Sequence, residues 1–301
     1  MDAKKAPKSK KTQNDKREED IYQLEENANH TVKYKYTTFD NLIEQGEYNF
    51  YAVIYDCSFP LEEPTTSKYS CTLKLIDETT NCLTHPNNFN DNIIYLTIKS
   101  SDKDNIPYIH HIGDIIRVHR GFYSPKNKRN VYLNVCKDNK TKGSWCIYSV
   151  NNNNNDPYLC SNKKYSVETQ DKQIIENNKS WVKNYLNKDK SLIYPYQIKL
   201  ENRINDGNDK DLLVHVVKKV ELDDQLVLLI QDETDGCELH TYKYYNFIQE
   251  NDIIRVRAYK VFDNNNLILN EFGNILVVPQ FSHCYKEFIN ALTKKMKQLK
   301  K

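Results

Sequence analysis

The chain has 301 residues, 39% hydrophobic and 28% charged, with 43 Lys and Arg against 41 Asp and Glu for a formal net charge of +2. That length allows two ordinary domains plus tails, and the near-neutral balance leaves any polyanionic partner to be argued from local charge alone. Seven glycines disfavour Gly-rich phosphate loops, and eight cysteines without a Cys-x-x-Cys pair fit neither a structural zinc site nor a disulfide scaffold, so no metal or cofactor is expected and a reducing compartment fits best. No apolar run is long enough for a membrane span, and the N-terminus lacks a signal-peptide core.

Residues 1–30 are polar, first basic (Lys4, Lys5, Lys8, Lys10, Lys11, Lys16, Arg17) and then acidic (Glu18, Glu19, Asp20). They read as a disordered tail, either solubilising or serving as a nuclear-import or phosphate-binding arm. From Tyr34 the pattern becomes that of strands. Phe39 to Glu44 is a short helix or loop leading into a first strand at Tyr48–Tyr55. Further strands are expected at Tyr69–Asp77, Ile93–Lys99, Gly113–Tyr123 and Asn130–Lys137, with a short helix between Ser101 and Ile109. Five strands with a helix between the third and fourth is the order of an oligonucleotide/oligosaccharide-binding (OB) barrel, whose groove would be walled by the loops at Pro60–Lys68 and Pro125–Arg129. Ser144–Tyr148 ends this first unit, 31–150. Asn151–Asn155 and Asp156-Pro157 read as a linker, and Ile174, Trp181, Val182, Tyr185 and Leu186 mark a helix between Tyr165 and Leu186 within a connecting segment, 151–205. A second barrel, 206–301, is expected from strands near Leu212–Val217, Leu226–Asp232, Cys237–Tyr244, Asp252–Val261 and Leu267–Asn270. It is closed by a helix at Phe281–Lys301.

Two echoes tie the halves together. Gly113-Asp114-Ile115-Ile116-Arg117-Val118-His119-Arg120 returns as Asp252-Ile253-Ile254-Arg255-Val256-Arg257, and Leu75-Ile76-Asp77-Glu78-Thr79 returns as Ile230-Gln231-Asp232-Glu233-Thr234. The same order in both copies implies one domain present twice. In each long echo apolar positions alternate with charged ones, and the charged face is basic, so Arg117, His119, Arg120, Arg255 and Arg257 are candidate nucleic-acid contacts. The 22 tyrosines serve equally as strand filler or as flat faces for bases.

Phe50–Ile54 with Phe59-Pro60, Ser70–Asp77, Ile106-Pro107-Tyr108-Ile109-His110 through Arg120, Ser144-Trp145, Asp209–Asp223, Asp252–Arg257 and Phe272–Ile275 together resemble the alpha subunit of the ciliate telomere end-binding protein and the related protection-of-telomeres proteins. The resemblance implies a mainly β fold with two tandem OB barrels, a linking helix and a C-terminal helix. It implies a nuclear, telomeric, non-enzymatic protein that binds the single-stranded G-rich 3′ overhang alongside other telomere proteins. It also implies that Lys74 and Arg257 lie in the groove, that Asp209 and Asp211 read bases, and that Phe272 stacks. An aspartate can accept from guanine N1–H and N2–H together, an edge free only in unpaired DNA. Asp209 and Asp211 also sit in a polar loop-like run, Asn205–Asp211, and His119 reads equally as a packed strand residue.

Three departures from the family pattern stand out. Lys99 replaces a stacking aromatic at the end of the third strand, Cys136-Lys137 replaces an aromatic pair at the end of the fifth, and Glu271 replaces a histidine. Lysine recovers phosphate attraction but not stacking, so Lys99 and Lys137 are expected to bind backbone, with Tyr95, Tyr123 and Tyr132 as possible replacements for the lost aromatic faces. The alternative is an OB scaffold in a telomere or chromosome-processing complex with weakened DNA contact.

Overall fold

Alternating apolar positions put most of this chain into antiparallel strands. The computed structural model describes residues 34–80, 93–127, 129–135, 143–162, 165–189, 197–203, 210–263 and 266–299. The first barrel consists of β1 (Gly46–Cys57), β2 (Leu61–Glu63), β3 (Lys68–Ile76), β4 (Ile94–Ser100), β5 (Ile115–Tyr123) and β6 (Asn130–Val135). Its hydrogen-bonded order is β1-β3-β4-β6-β5 and back to β1, with β4–β6 the parallel pair. β7 (Ser144–Tyr148) continues from β5, and β8 (Leu159–Cys160) pairs with β7.

Helix α1 (Thr169–Lys188) and β9 (Gln197–Ile198) lead to the second barrel: β10 (Asp211–Glu221), β11 (Gln225–Gln231), β12 (Gly236–Tyr242), β13 (Ile253–Val261) and β14 (Leu267–Val277). It closes in the same order, β10-β11-β12-β14-β13 and back to β10, with β12–β14 parallel. Helix α2 (His283–Leu299) follows. Each circuit has the strand order 1-2-3-5-4-1 of an OB barrel. The fold is therefore mainly β: two tandem OB barrels with a linking and a C-terminal helix. Among the described residues no helix is long and apolar enough to cross a membrane.

The sequence echoes have a backbone meaning. Asp77 accepts from the Phe39 amide (2.7 Å) and from the Thr79 amide and hydroxyl; Asp232 accepts from the Leu200 amide (2.8 Å) and from the Thr234 amide and hydroxyl. In both copies the acid closes an Asx turn after the strand and pins the 3-10 turn that enters the barrel, Phe39–Asn41 or Leu200–Asn202. Gly113 and its counterpart Asn251 both have left-handed φ, +93° and +72°, as do Arg120 and its counterpart Ala258, +59° and +56°. The second pair marks a bulge in the fourth strand, where the ladders shift register. Gly113 is doubly constrained, since a Cβ there would come within 3.3 Å of Leu186 Cδ1 on α1.

Several expectations need correction. The stretch Ser101–Ile109 forms only a 3-10 turn, Lys103–Asn105, because Pro107 removes a donor before a second turn can form. The wall at Pro60–Lys68 carries strand β2, paired antiparallel with β3. β14 runs seven residues beyond the expected Asn270, since Gly273 lets the chain pass the bulge at Ala258, where a Cβ would meet the Ala258 carbonyl at 2.6 Å. The asparagine run expected as a linker wraps a buried ammonium: Lys179 Nζ of α1 donates to the carbonyls of Asn152 and Asn154 and to Asn155 Oδ1, at 2.8–3.0 Å. The N-terminal tail lies outside the described residues.

Burial shows which faces remain open. β1, β5, β10 and β13 are the first and fourth strands of their barrels, and each carries a run of at least four consecutive buried residues. Their outer faces are covered by α1 or by the other barrel. β4, β11 and β12 instead alternate buried and solvent-facing residues. The second and third strands, the usual ligand face of an OB barrel, thus keep one side in water. The second barrel has its own apolar core, from Leu212 and Val214 to Leu267 and Ile275, while the core of the first barrel extends through Leu213, Ile253, Leu276 and Val278 to Cys284, Phe288 and Leu292 of α2 and so forms the seam between the barrels. The main chain also bridges them: Ile112 N donates to Val277 O and Val277 N to His110 O, both at 3.0 Å.

Candidate nucleic-acid interface

The outer face of the first barrel is built by pairing. On β3 and β4, Lys74 lies opposite Tyr95, Thr72 opposite Thr97, and Ser70 opposite Lys99; β6 adds Tyr132 beside Thr97. The half-exposed pattern of β4 sends Tyr95, Thr97 and Lys99 outward. Two cations, two phenols and three aliphatic hydroxyls therefore share one surface. Lys74 Nζ sits 5.3 Å from the Tyr55 ring centroid, an arrangement that steadies the ammonium without removing its charge. Lys99 is pulled toward the hairpin, with Nζ 2.6 Å from Glu63 Oε1, and its side chain keeps 37% of its exposure.

Lys74 is also the register partner of Asp56 on β1. Asp56 faces the second barrel, where Arg255 donates to it and Arg257 Nη2 lies 3.2 Å from its Oδ2. Arg257 also grips Asp211 through Nε and Nη2, both at 2.9 Å. Two acids and two guanidinium groups thus lock the barrels together. Burial alone pushes the Asp56 carboxyl upward, but Arg255 and Arg257 outweigh it and hold the group below the usual carboxylate range. Arg257 is the cluster member turned furthest to water, with 30% of its side chain exposed against 5% for Arg255.

Beside this cluster runs a row of aromatic rings not anticipated from the sequence. Asn274, the register partner of Arg257, donates to the Cys57 carbonyl at 3.1 Å, and both line a small pocket with Phe59, Tyr108, Tyr244, Tyr245 and Phe247. Phe59 and Tyr108 of the first barrel meet Tyr244 of the second at ring distances of 6.0 and 5.2 Å, and Tyr244 stacks on Tyr242 at 5.3 Å and 11°. Tyr242 ends β12, the third strand of the second barrel, and is 40% exposed. The sequence did carry a signal: Tyr242, Tyr244 and Tyr245 fall together at a strand end, but their partner Phe59 lies far away in the chain.

The remaining candidates divide. Phe272 is 54% exposed on β14, and Arg120 is exposed at its bulge, where the left-handed backbone re-aims its side chain. Arg117 and Arg255 occupy equivalent positions of the two echoes, and both are 4% exposed. The expectation of a basic surface there is corrected: each guanidinium is spent on docking. Arg117 donates to the Ser166 carbonyl (2.6 Å) and to Cys146 Sγ (3.4 Å), and it lies 3.6 Å from Asp171 of α1. His119 is 3.1 Å from Tyr36 Oη, which in turn donates to Asp171. Tyr123 is buried, edge-on to Tyr48. Lys137 and Asp209, and with them Cys136, lie outside the described residues. Among the described residues no group of three or more His, Cys, Asp or Glu is placed to hold a metal ion.

Two half-buried histidines are expected to make the assembly acid-sensitive. His110 is sandwiched between Tyr158 (4.4 Å) and Phe247 of the second barrel (4.0 Å), and burial takes its pKa down to about 4; burial, then Arg117, does the same for His119. The folded state favours neutral rings, whereas the unfolded chain takes up protons near pH ~6.5. Stability is therefore expected to fall as pH drops from ~6.5 toward 4. Urea denaturation at pH 7 and pH 4.5 measures it, and a His110→Phe variant should lose part of the difference.

A protein-family model described as telomeric single-stranded DNA binding, POT1/CDC13, matches residues 30–192, more than half of the chain. A telomere-binding protein homolog of Euplotes crassus is 28% identical over 277 residues, covering 84% of this chain and 58% of that protein. The telomere-binding protein subunit alpha of Sterkiella nova is 26% identical over 281 residues, covering 85% and 55%. The chain thus spans somewhat more than half the length of these curated relatives. Among solved structures, fission yeast Pot1 with single-stranded DNA aligns over 92% of this chain and 99% of that one, with a TM-score of 0.37 and 13% identity. A Pot1–single-stranded DNA complex aligns over 55% of this chain and 97% of that one, with a TM-score of 0.39 and 13% identity. The barrel order is read from the strand ladders themselves and the family from the sequence match: this chain belongs to the telomeric single-stranded-DNA-binding POT1/CDC13 family.

Proposed function

We propose that this protein binds the single-stranded, G-rich 3′ overhang of telomeres in the nucleus, without catalysis, and protects or marks chromosome ends together with other telomere proteins. The family match carries the reading. The geometry supports it: the outer face of β3 and β4 leads through Lys74 and Asp56 to Arg257 and Asp211, and onward to the aromatic row at the barrel junction. Lys74, Lys99, Arg120 and Arg257 attract phosphates. Tyr95, Tyr132, Tyr242 and Phe272 offer base faces. Asp211, 5% exposed with both oxygens on Arg257, orients that guanidinium toward the strand. Lys137 and Asp209 complete the set as further phosphate and base contacts.

Fluorescence anisotropy with a G-rich telomeric repeat, a scrambled single strand and a duplex, each at two salt concentrations, tests the proposal. The G-rich strand should bind tightest and the duplex not at all, with affinity falling steeply as salt rises. Equal affinity for the scrambled strand would reject sequence-selective binding. One observation favours a second reading, that of an interaction scaffold: Arg255, Arg257 and Asp211 are already engaged by Asp56 or one another. That reading predicts no measurable single-strand affinity at either salt concentration.

A further inference from the structure

We propose that Cys146 and Cys160 are a redox-active pair that closes into a cross-strand disulfide when a peroxide reaches it. The two cysteines are direct register partners on antiparallel β7 and β8. Ser161 N donates to Trp145 O at 3.0 Å, and Ser161 Oγ accepts from Trp145 N at 2.9 Å. Trp145 and Ser161 therefore occupy the hydrogen-bonded site of the ladder, and the next pair, Cys146 and Cys160, falls at the narrow site, where Cα atoms approach to about 4.5 Å. That spacing lies inside the disulfide range of roughly 4.4–6.8 Å. Both side chains leave the same face of the ladder.

The pair is also chemically asymmetric. Arg117 Nη2 lies 3.4 Å from Cys146 Sγ. The hydrogen bond from Cys160, and then Arg117 acting against burial, bring the Cys146 thiol down to about 7, while the bond to Cys146 raises the Cys160 thiol. With Arg117 beside it, Cys146 is the sulfur that ionises more readily and Cys160 the one that keeps its proton, the arrangement of an attacking and a resolving cysteine. Cys146 is 4% exposed, so only a small oxidant such as hydrogen peroxide fits, whereas Cys160 is partly open to water. By contrast, burial pushes up the thiols of Cys57, Cys71, Cys237 and Cys284.

The chemistry balances with one peroxide. The Cys146 thiolate attacks one peroxide oxygen, the O–O bond breaks, and the departing hydroxide takes a proton to leave as water, giving a sulfenic acid at Cys146. Cys160 loses its proton and attacks that sulfur; the S–S bond forms, the S–O bond breaks, and a second water leaves. Two thiols are oxidised and one peroxide is reduced to two waters. The new bond would staple the strap from β7 through β8 toward Ser166, whose carbonyl accepts from Arg117.

Brief treatment of the full chain with hydrogen peroxide, followed by non-reducing proteolysis and mass spectrometry, tests this. The expected product is a Cys146–Cys160 linked peptide lighter by two hydrogens, with Cys57, Cys71, Cys237 and Cys284 still alkylated after unfolding. The thermal midpoint should rise by on the order of 5 °C and return on reduction. Cys160→Ser should stop the reaction at a Cys146 sulfenic acid trapped by a 1,3-dione, and Cys146→Ser should give neither product. Absence of the 146–160 link in the wild-type chain, or a Cys57–Cys71 link forming equally fast, overturns the proposal whether or not the variants fold.

Discussion

Asp56→Ala is expected to destabilise the protein by about 3–5 kcal/mol, among the largest effects of any single substitution. Removing the carboxylate takes from Arg255, 5% exposed at its side chain, the acid it donates to, while Asp211, 3.7 Å away, is already held by Arg257. Two guanidinium groups would then share one acid in a site largely shut off from water. The loss comes from a buried guanidinium deprived of its acid. A double replacement, Asp56→Leu with Arg255→Met, keeps Arg257 and Asp211 paired and should cost far less. Urea unfolding of the three proteins decides the matter; an Asp56→Ala chain within about 1 kcal/mol of the wild type would show that the cluster does not hold the barrels together. The sign with pH is fixed as well. Because the folded carboxyl is held low by the arginines despite its burial, its contribution is fully present above the unfolded value of ~3.9 and is lost as pH falls through the lower folded value.

Tyr242→Ala should leave stability nearly unchanged and weaken single-strand binding by about five- to 150-fold, the equivalent of about 1–3 kcal/mol for one stacked base. The ring is 40% exposed and rests on Tyr244, so the barrel loses little packing when it goes. Phe272→Ala, at 54% exposure, should fall in the same range. Tyr123→Ala should behave in the opposite way, costing stability rather than selective affinity, because its ring is 9% exposed and packed on Tyr48. Titrating a G-rich strand against the three variants, each checked for its unfolding midpoint, separates groove from core. Wild-type affinity in a folded Tyr242→Ala chain would remove the barrel junction from the DNA path.

How far the site was legible depended on whether a residue's partner is close in the chain. Lys74 was legible on the polar face of its strand because its alternation with Leu73 and Leu75 is a local property, whereas its pairing with Tyr95 comes from the β3–β4 ladder. Arg117 and Arg255 stand on the same alternating pattern, yet their guanidinium groups turn inward to Asp171 and Asp56, acids far away in sequence. The aromatic junction was only half legible for the same reason: the tyrosines at the end of β12 cluster in the sequence, but Phe59, Tyr108 and Tyr244 come from three separate segments in two barrels.

The sequence by itself determined the duplication, the barrel order and the family. The repeated Asp-Glu-Thr turn and the Asp-Ile-Ile-Arg-Val strand each encode a backbone shape through nearest-neighbour hydrogen bonding and a period of two. Only the tertiary structure decided which cations remain available to a ligand. Whether a guanidinium is buried or solvated depends on which carboxylate the packing of α1 and of the second barrel brings within about 3–4 Å, and a Coulomb energy that varies inversely with distance and dielectric has no counterpart in the order of residues along the chain.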